Sequence, residues 1–401
     1  MEQMSIPRGF QVLSGSSGPR LGAYTTRFGK QISTPAPIFL ANRGAFPHLT
    51  PDNVSAIKED MPVLSLAAED FLDKLPERDQ VPIFKLKRKV LALPNDPSCV
   101  IVSARRNDPV PLIQPNADDS ICIDTCEGTK KMSLDTYFDV VSAINPDIVI
   151  APLDLPNLSP EGRPGHNRAR KMAIRTERWL ARVIDGKSNG GDIFASVLPS
   201  SVSDKSASEY NTFLSNHRAR VSGLAFSEPE NAAQRSEALG MSAAARMLHG
   251  PCEMPQDILQ AIGDGIDLVP ADLSTRAVSA GVALTFEFPP QSSNTQPIGL
   301  NLWEDKYSTD LTPLGPATGP HHRAYIRHLL HAREMTGDVL LQLHNVRTVS
   351  NFFTAIRQSI ANGTFTADCE KFLQVYGTAQ QAAQLFDKPQ QQAQASTFRQ
   401  L

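Results

Sequence analysis

Eight short apolar runs recur through the first two-thirds of the chain, and they constrain its fold more than any other feature. They are Pro35–Ala41, Pro62–Leu66, Val100–Ser103, Asp147–Ala151, Asp192–Leu198, Val221–Phe226, Ala245–Leu248 and Ile266–Val269. Each is short and rich in Val, Ile, Leu, Phe and Ala, as strands buried on both faces are. Helical spacing appears between them. Thr50, Pro51 and Asp52 open one helix, with Val54 and Ile57 as its apolar positions. Ser133–Ile144 places Leu134, Phe138, Val141 and Ile144 on one side. Pro255 starts a third, with the stripe Ile258, Leu259 and Ile262, and Gly263 and Gly265 end it. Strands alternating with helices imply βα units and a parallel sheet. Eight such units over roughly 250–300 residues predict an α/β fold closed as a (β/α)8 TIM barrel. An open doubly wound sheet is the competing arrangement. No Gly-x-Gly-x-x-Gly turn follows any strand, so a dinucleotide site has no support.

The barrel accounts for residues 1–300, with 1–34 (Phe10, Val12, Leu13) as an antiparallel lead-in. Residues 301–372 form a small appended helical region, and 373–401 a Gln-rich tail read as frayed helix or disorder. The formal net charge of −3 provides no overall basic field, so any RNA contact must come from a local patch. Five scattered cysteines (Cys99, Cys122, Cys126, Cys252 and Cys369) fit a reducing compartment better than a disulfide framework. Met1 is followed by polar sequence, and no run approaches the ~20 apolar residues of a membrane span. The expectation is a soluble, cytoplasmic chain.

In such barrels chemistry collects where strands end. The last run leads into Pro270, which has neither side-chain chemistry nor an amide donor. The passages TPAPIFLANRGAFPHLTPDNV, RKMAIRTERWLARV, PQDILQAIGDGIDL with GVALTFEF, and HHRAYIRHLLHAREM are similar to the tRNA-guanine transglycosylase family across roughly residues 20–360. They resemble its non-catalytic subunits more closely than its catalytic ones. In catalytic members a strand of the type GIDMFD ends in the aspartate that attacks the ribose. Here Pro270 stands at that position, with Asp267 three residues before it and Asp272 two after. The resemblance therefore implies a chain that forms no covalent intermediate.

The other positions of the family's base pocket are similarly altered. Asp154 lies about one residue out of register with the base-binding aspartate, and a carboxylate capping the loop before Pro156 is an equal reading. Leu198, Pro199 and Ser200 replace Gln-Gly-Gly and cannot supply the glutamine amide. In VSGLAFSE, Gly223, Leu224, Ala225 and Glu228 match the family pattern, while Ser222 and Ser227 replace glycines. Asp-Ser-Gly-Gly has no counterpart, the nearest carboxylate being Asp96 in a turn.

The family also implies a structural zinc held by Cys-x-Cys-x-x-Cys and a later histidine. His344 remains at the histidine position. Counting back from Arg323 places the cysteine positions at Pro313, Gly315 and Thr318; counting forward from Pro313 gives a deletion of about five residues. Either way no thiolate is available, so no metal or other cofactor is expected. His328 and His331, at i and i+3, have a spacing that can bind metal, but no carboxylate or cysteine sits beside them in a recognised motif, and His321, His322, His328 and His331 are expected to face solvent or a partner.

Arg168, Lys171, Arg175, Arg178 and Arg182 recur every three or four residues beside the apolar Met172, Trp179 and Val183. This face is either solvated or a phosphate contact. Lys85, Lys87, Arg88 and Lys89 read as a solvated strand face. From His321 to His344, Tyr325, Ile326, Leu329, Leu330, Met335, Val339, Leu340 and Leu343 keep helical spacing, and an exposed part of this stripe would meet a second subunit. The resemblance implies as partners a catalytic queuine tRNA-ribosyltransferase subunit and tRNA, in an assembly that exchanges guanine for queuine at the wobble position. It also allows peripheral association with mitochondria. The rivals are an active transglycosylase using Asp272 or Asp267, and a homodimeric RNA-binding or scaffold protein.

Overall fold

The computed structural model describes residues 9–15, 18–72, 99–107, 114–125, 128–155, 165–187, 190–202, 204–315 and 318–387. The Lys85, Lys87, Arg88 and Lys89 cluster, Asp96, Cys126, Pro156 and residues 388–401 lie outside them. Two compact units are distinguished. One comprises Met1–Ala45, Pro62–Pro251 and Ala261–Pro270; the other comprises Phe46–Met61, Cys252–Gln260 and Ala271–Leu401. This partition does not follow a boundary at residue 300.

The first unit is a closed barrel of eight parallel strands. They are β1 (Ala36–Leu40), β2 (Val63–Ala67), β3 (Cys99–Ser103), β4 (Ile148–Ile150), β5 (Asp192–Val197), β6 (Gly223–Phe226), β7 (Ala245–Leu248) and β8 (Leu268–Pro270). β8 pairs back onto β1 through Leu268–Ala36, Val269–Pro37 and Pro270–Ile38, so the open sheet is excluded. The fold is thus a (β/α)8 TIM barrel, and each strand overlaps one of the eight apolar runs. Nearly every strand residue is buried, which is why the runs lack polar alternation. Alternate side chains fill the interior, among them Ile38, Val63, Ile101, Ile148, Phe194, Ala225, Met247 and Leu268. Gly223 leaves room for this filling: a Cβ there would come within 2.5 Å of the Phe194 ring.

In chain order, helices follow every strand but the second, which leads into the 3-10 turn Ala68–Phe71 and then residues outside the described set. The helix Leu134–Ile144 starts where expected because the Ser133 hydroxyl accepts the Thr136 amide, a side-chain N-cap. The antiparallel hairpin Ser120–Thr125 and Gly128–Ser133, which the sequence analysis did not identify, precedes it.

The N-terminal strands Gly9–Ser14, Leu21–Thr25 and Gln31–Thr34 form the antiparallel lead-in, which meets the barrel at the strand starts. Asp267, immediately before β8, receives two bonds from the Arg20 guanidinium, at 2.9 and 2.6 Å, and the Arg246 amide at 2.8 Å. Arg20 also donates to the carbonyls of Ser242 and Ala244, before β7. At the start of β5, Asp192 accepts the Tyr24 hydroxyl at 2.6 Å. Before β4, Asp147 accepts the Val100 amide at 2.9 Å. Gly265, at φ +92°, lets the chain turn into β8 where a Cβ would sit 2.7 Å from an Arg246 nitrogen.

The second unit contains the strand pair Val282–Leu284 and Gly299–Asn301 and the helices Leu273–Ser279, Arg323–Ala332, Met335–Asn362, Phe365–Tyr376 and Ala379–Asp387. The stripe from His321 to His344 is therefore two helices, not one. The chain breaks at Arg333, which takes the left-handed conformation at φ 58°. Part of the Gln-rich tail is also ordered, as the last of these helices. Among the described residues, no helix is long and apolar enough to cross a membrane.

Because Arg20 and Asp267 are almost wholly buried, with side chains each 1% exposed, removing one strands the other's charge. Arg20→Ala is expected to cost about 3–5 kcal/mol in urea unfolding. A cost near that of an exposed ion pair, below about 1 kcal/mol, would refute this role.

Candidate functional site

The mouth of the barrel lies at the strand ends opposite the Arg20–Asp267 pair. Pro270 is the last residue of β8 and is buried. Asp267 sits at the other end of that strand, saturated by Arg20 and the Arg246 amide, so it is neither at the mouth nor free to attack. Asp272 precedes the helix Leu273–Ser279 in the second unit, where it is half-buried.

The loops after β2 and β3 bring together Glu69, Asp70, Arg105 and Arg106, none of which stood out in the sequence. Glu69, 1% exposed, accepts the Arg106 amide at 2.6 Å and the Asp124 amide at 3.3 Å, and lies 3.7 Å from the Arg105 guanidinium. Burial pushes its carboxyl above the usual range, against the pull of those donors. Asp70 pairs with the Arg106 guanidinium at 2.7 Å. The signal that could have revealed them is charge set directly after a buried run: Ala-Ala-Glu-Asp after β2 and Ser-Ala-Arg-Arg after β3.

Asp154, 4% exposed, follows β4. It accepts the Asn116 side-chain amide at 2.7 Å and pairs with Arg175 at 3.1 Å, while its own amide donates to the Thr176 hydroxyl. Leu198 is buried after β5, and its carbonyl accepts from Arg235, which also holds Glu228 at 3.3 Å. Glu228 in turn accepts the Ser200 amide. Gly223 and Leu224, by contrast, open β6 at the end away from the mouth. The four residues Asp154, Leu198, Gly223 and Leu224 are therefore not gathered in one place.

A cavity of about 40 Å³ remains at the mouth, lined by Arg105, Asn116, Ala151, Leu153, Ser196 and His249 among others. Sites for organic ligands typically run to about 300 Å³ or more, so this space suits a few waters. His249 donates through Nδ1 to the Asn107 Oδ1 at 2.9 Å, an orientation set by the Asn107 amide donating to the Gly250 carbonyl. Burial, and then the neighbouring Arg105, lower its pKa to about 4. Each mouth carboxylate is thus occupied in tying loops together. Among the described residues none is poised as a nucleophile above an open pocket.

On the helix His166–Arg182 the basic face divides in two. Arg175 and Arg178 hold Asp118 at 3.1 and 2.7 Å, and Arg182 holds Asp135 at 2.6 Å. Arg168, Arg170 and Lys171 are exposed and make no ion pair among the described residues.

The second unit assembles no group of three potential metal ligands among its described residues. The His344 Nε2 donates to the Leu284 carbonyl at 2.7 Å. His321 stacks on Tyr325, His322 caps the helix that follows it, His331 packs edge-on against Trp303, and His328 is exposed.

Because unfolded His249 takes up a proton near pH 6.5 and the folded residue only near about 4, acidification favours the unfolded chain between those values. Stability is expected to fall across this window by at most about 1.4 kcal/mol per pH unit from this group. His249→Gln should flatten that limb in urea titrations at pH 7 and 5. An equal pH dependence in the two proteins would contradict the assignment.

The family model described as queuine tRNA-ribosyltransferase matches residues 15–378. A Schizosaccharomyces pombe protein named queuine tRNA-ribosyltransferase accessory subunit 2 is 35% identical over 383 residues, 92% of this chain and 83% of its own length. The Anopheles gambiae protein of the same name is 24% identical over 360 residues, 82% of this chain and 81% of its own. A Caulobacter vibrioides protein named queuine tRNA-ribosyltransferase is 35% identical over 116 residues, only 28% of this chain. Similarity to the accessory subunits therefore runs along the whole barrel, whereas similarity to this bacterial relative is confined to a segment. The match over most of its length, on an eight-stranded parallel barrel, places this chain in the queuine tRNA-ribosyltransferase family.

Proposed function

We propose that this chain is the non-catalytic subunit of a heterodimeric queuine tRNA-ribosyltransferase, which exchanges guanine for queuine at the tRNA wobble position. The observation that carries this reading is Pro270 at the mouth end of β8, where a catalytic member needs its attacking aspartate. Proline can neither attack an anomeric carbon nor hold a proton. The cavity of about 40 Å³ that the described residues leave at the mouth supports the same reading, because it is smaller than a purine site needs.

The chain's contribution is binding energy. Arg168, Arg170 and Lys171 present positive charge on the exposed side of one helix and would contact the phosphate backbone, whereas Arg175, Arg178 and Arg182 are held in the scaffold by Asp118, Asp154 and Asp135. Holding tRNA on this subunit would position the anticodon in the partner's site. On the second unit, Leu311, Tyr325 and Met335 expose apolar surface at 70%, 36% and 81%. Leu311 lies beside the start of the Arg323–Ala332 helix, where the Ala324 amide donates to the Asp310 carbonyl. This is the surface we assign to the catalytic subunit.

Base exchange is expected only when this chain and a catalytic subunit are mixed; exchange by this chain alone would overturn the reading. In the mixture, Arg168→Glu with Lys171→Glu should weaken tRNA binding and lower its log–log salt slope by about 0.9 for each phosphate no longer neutralised. An unchanged slope would remove this helix from the RNA-binding surface.

A further inference from the structure

The family's structural zinc does not fit the residues of this chain, and the geometry around His344 shows why. We infer that the second unit is a metal-independent form of the zinc-type subdomain, in which the Gly315 backbone occupies the space an ion would need. This inference does not rest on the function proposed above.

His344 has one nitrogen committed, since its Nε2–H donates to the Leu284 carbonyl at 2.7 Å. The other ring nitrogen, Nδ1, faces Gly315. A Cβ added there would lie 3.0 Å from Nδ1 and 3.2 Å from the adjacent ring carbon. A zinc ion on this nitrogen would stand about 2.1 Å away, with a thiolate sulfur about 2.3 Å beyond it. Such a sulfur needs its Cβ well outside 3.0 Å, so ion and sulfur cannot fit between this backbone and the ring. Thr318, at another cysteine position, is 3% exposed and donates both its amide and its hydroxyl to the Gly315 carbonyl, at 3.2 and 2.9 Å. Pro313, at the third, forms a backbone bridge with His322.

The loop is closed by other means. The Leu314 amide donates to the His321 carbonyl, the Arg323 amide to the Thr312 carbonyl, and the Arg323 guanidinium holds Asp310 at 3.0 Å. Beneath it, Leu314, Ile326, Leu329, Leu340 and Leu341 form a buried cluster. Hydrogen bonds and apolar packing thus perform the cross-linking that a metal performs in small subdomains.

Two measurements on the full-length chain test this. Elemental analysis after purification in zinc-supplemented medium should find zinc well below one atom per chain, and 1,10-phenanthroline should leave Tm unchanged. One zinc per chain, or a Tm lowered by the chelator, would overturn the inference. Gly315→Ala should lower Tm by several degrees with or without zinc, because its methyl meets the His344 ring. Should that variant not fold, Thr318→Val removes one hydrogen bond at nearly constant volume and should lower Tm by a smaller amount. A neutral Gly315→Ala, or a neutral Thr318→Val in its place, would show that the loop does not press on His344 as described.

Discussion

The guanidinium of Arg20, buried against Asp267, is the contact through which the lead-in sheet, β7 and β8 hold one another. A lone charge at either position would be costly to bury, so the two side chains are kept together by what each would lose alone. The pair also decides what β8 can do. Asp267, the carboxylate just before β8, is spent at the strand's start, and the strand's other end is a proline. Architecture and the absence of a reacting group are thus properties of the same strand.

A similar division holds around the whole barrel. At the starts of β5 and β8, Asp192 and Asp267 take a tyrosine hydroxyl and a guanidinium from the lead-in and seal it against the barrel, while Asp147, before β4, takes the Val100 amide of β3. At the mouth, Glu69, Asp70, Asp154 and Glu228 each meet an arginine. Ion pairs of this kind are worth little when exposed, but these carboxylates are mostly buried and hydrogen-bonded, which favours single loop positions. A mouth cross-tied in this way is suited to holding shape. The space the described residues leave there, about 40 Å³, is smaller than the sites that hold organic ligands.

The barrel was legible in the sequence because strands buried on both faces leave runs without polar interruption, and there were eight of them. Local chemistry was legible too: Ser133 begins a helix and Gly265 ends one because each satisfies a requirement within a few residues. What escaped depended on distant partners. Arg175, Arg178 and Arg182 share spacing with Arg168 and Lys171, yet their carboxylates lie far away in sequence, so no helical pattern separates scaffold from surface. Arg333 breaks a stripe that periodicity alone continues, since the apolar spacing resumes after it. Glu69 and Arg105 look like ordinary loop charges until β2 and β3 are placed side by side. Gly223 kept a family pattern while lying at the end of β6 away from the mouth, where it makes room for Phe194.

The central claim is that this barrel has been kept as a holder of RNA and protein after losing its nucleophile. Denaturing electrophoresis with labelled tRNA, run on this chain, a catalytic subunit and their mixture, tests it most directly. The account predicts an RNA adduct in the mixture, carried by the catalytic subunit, and none on this chain in any lane. An adduct on this chain that disappears in Asp272→Asn would contradict the account.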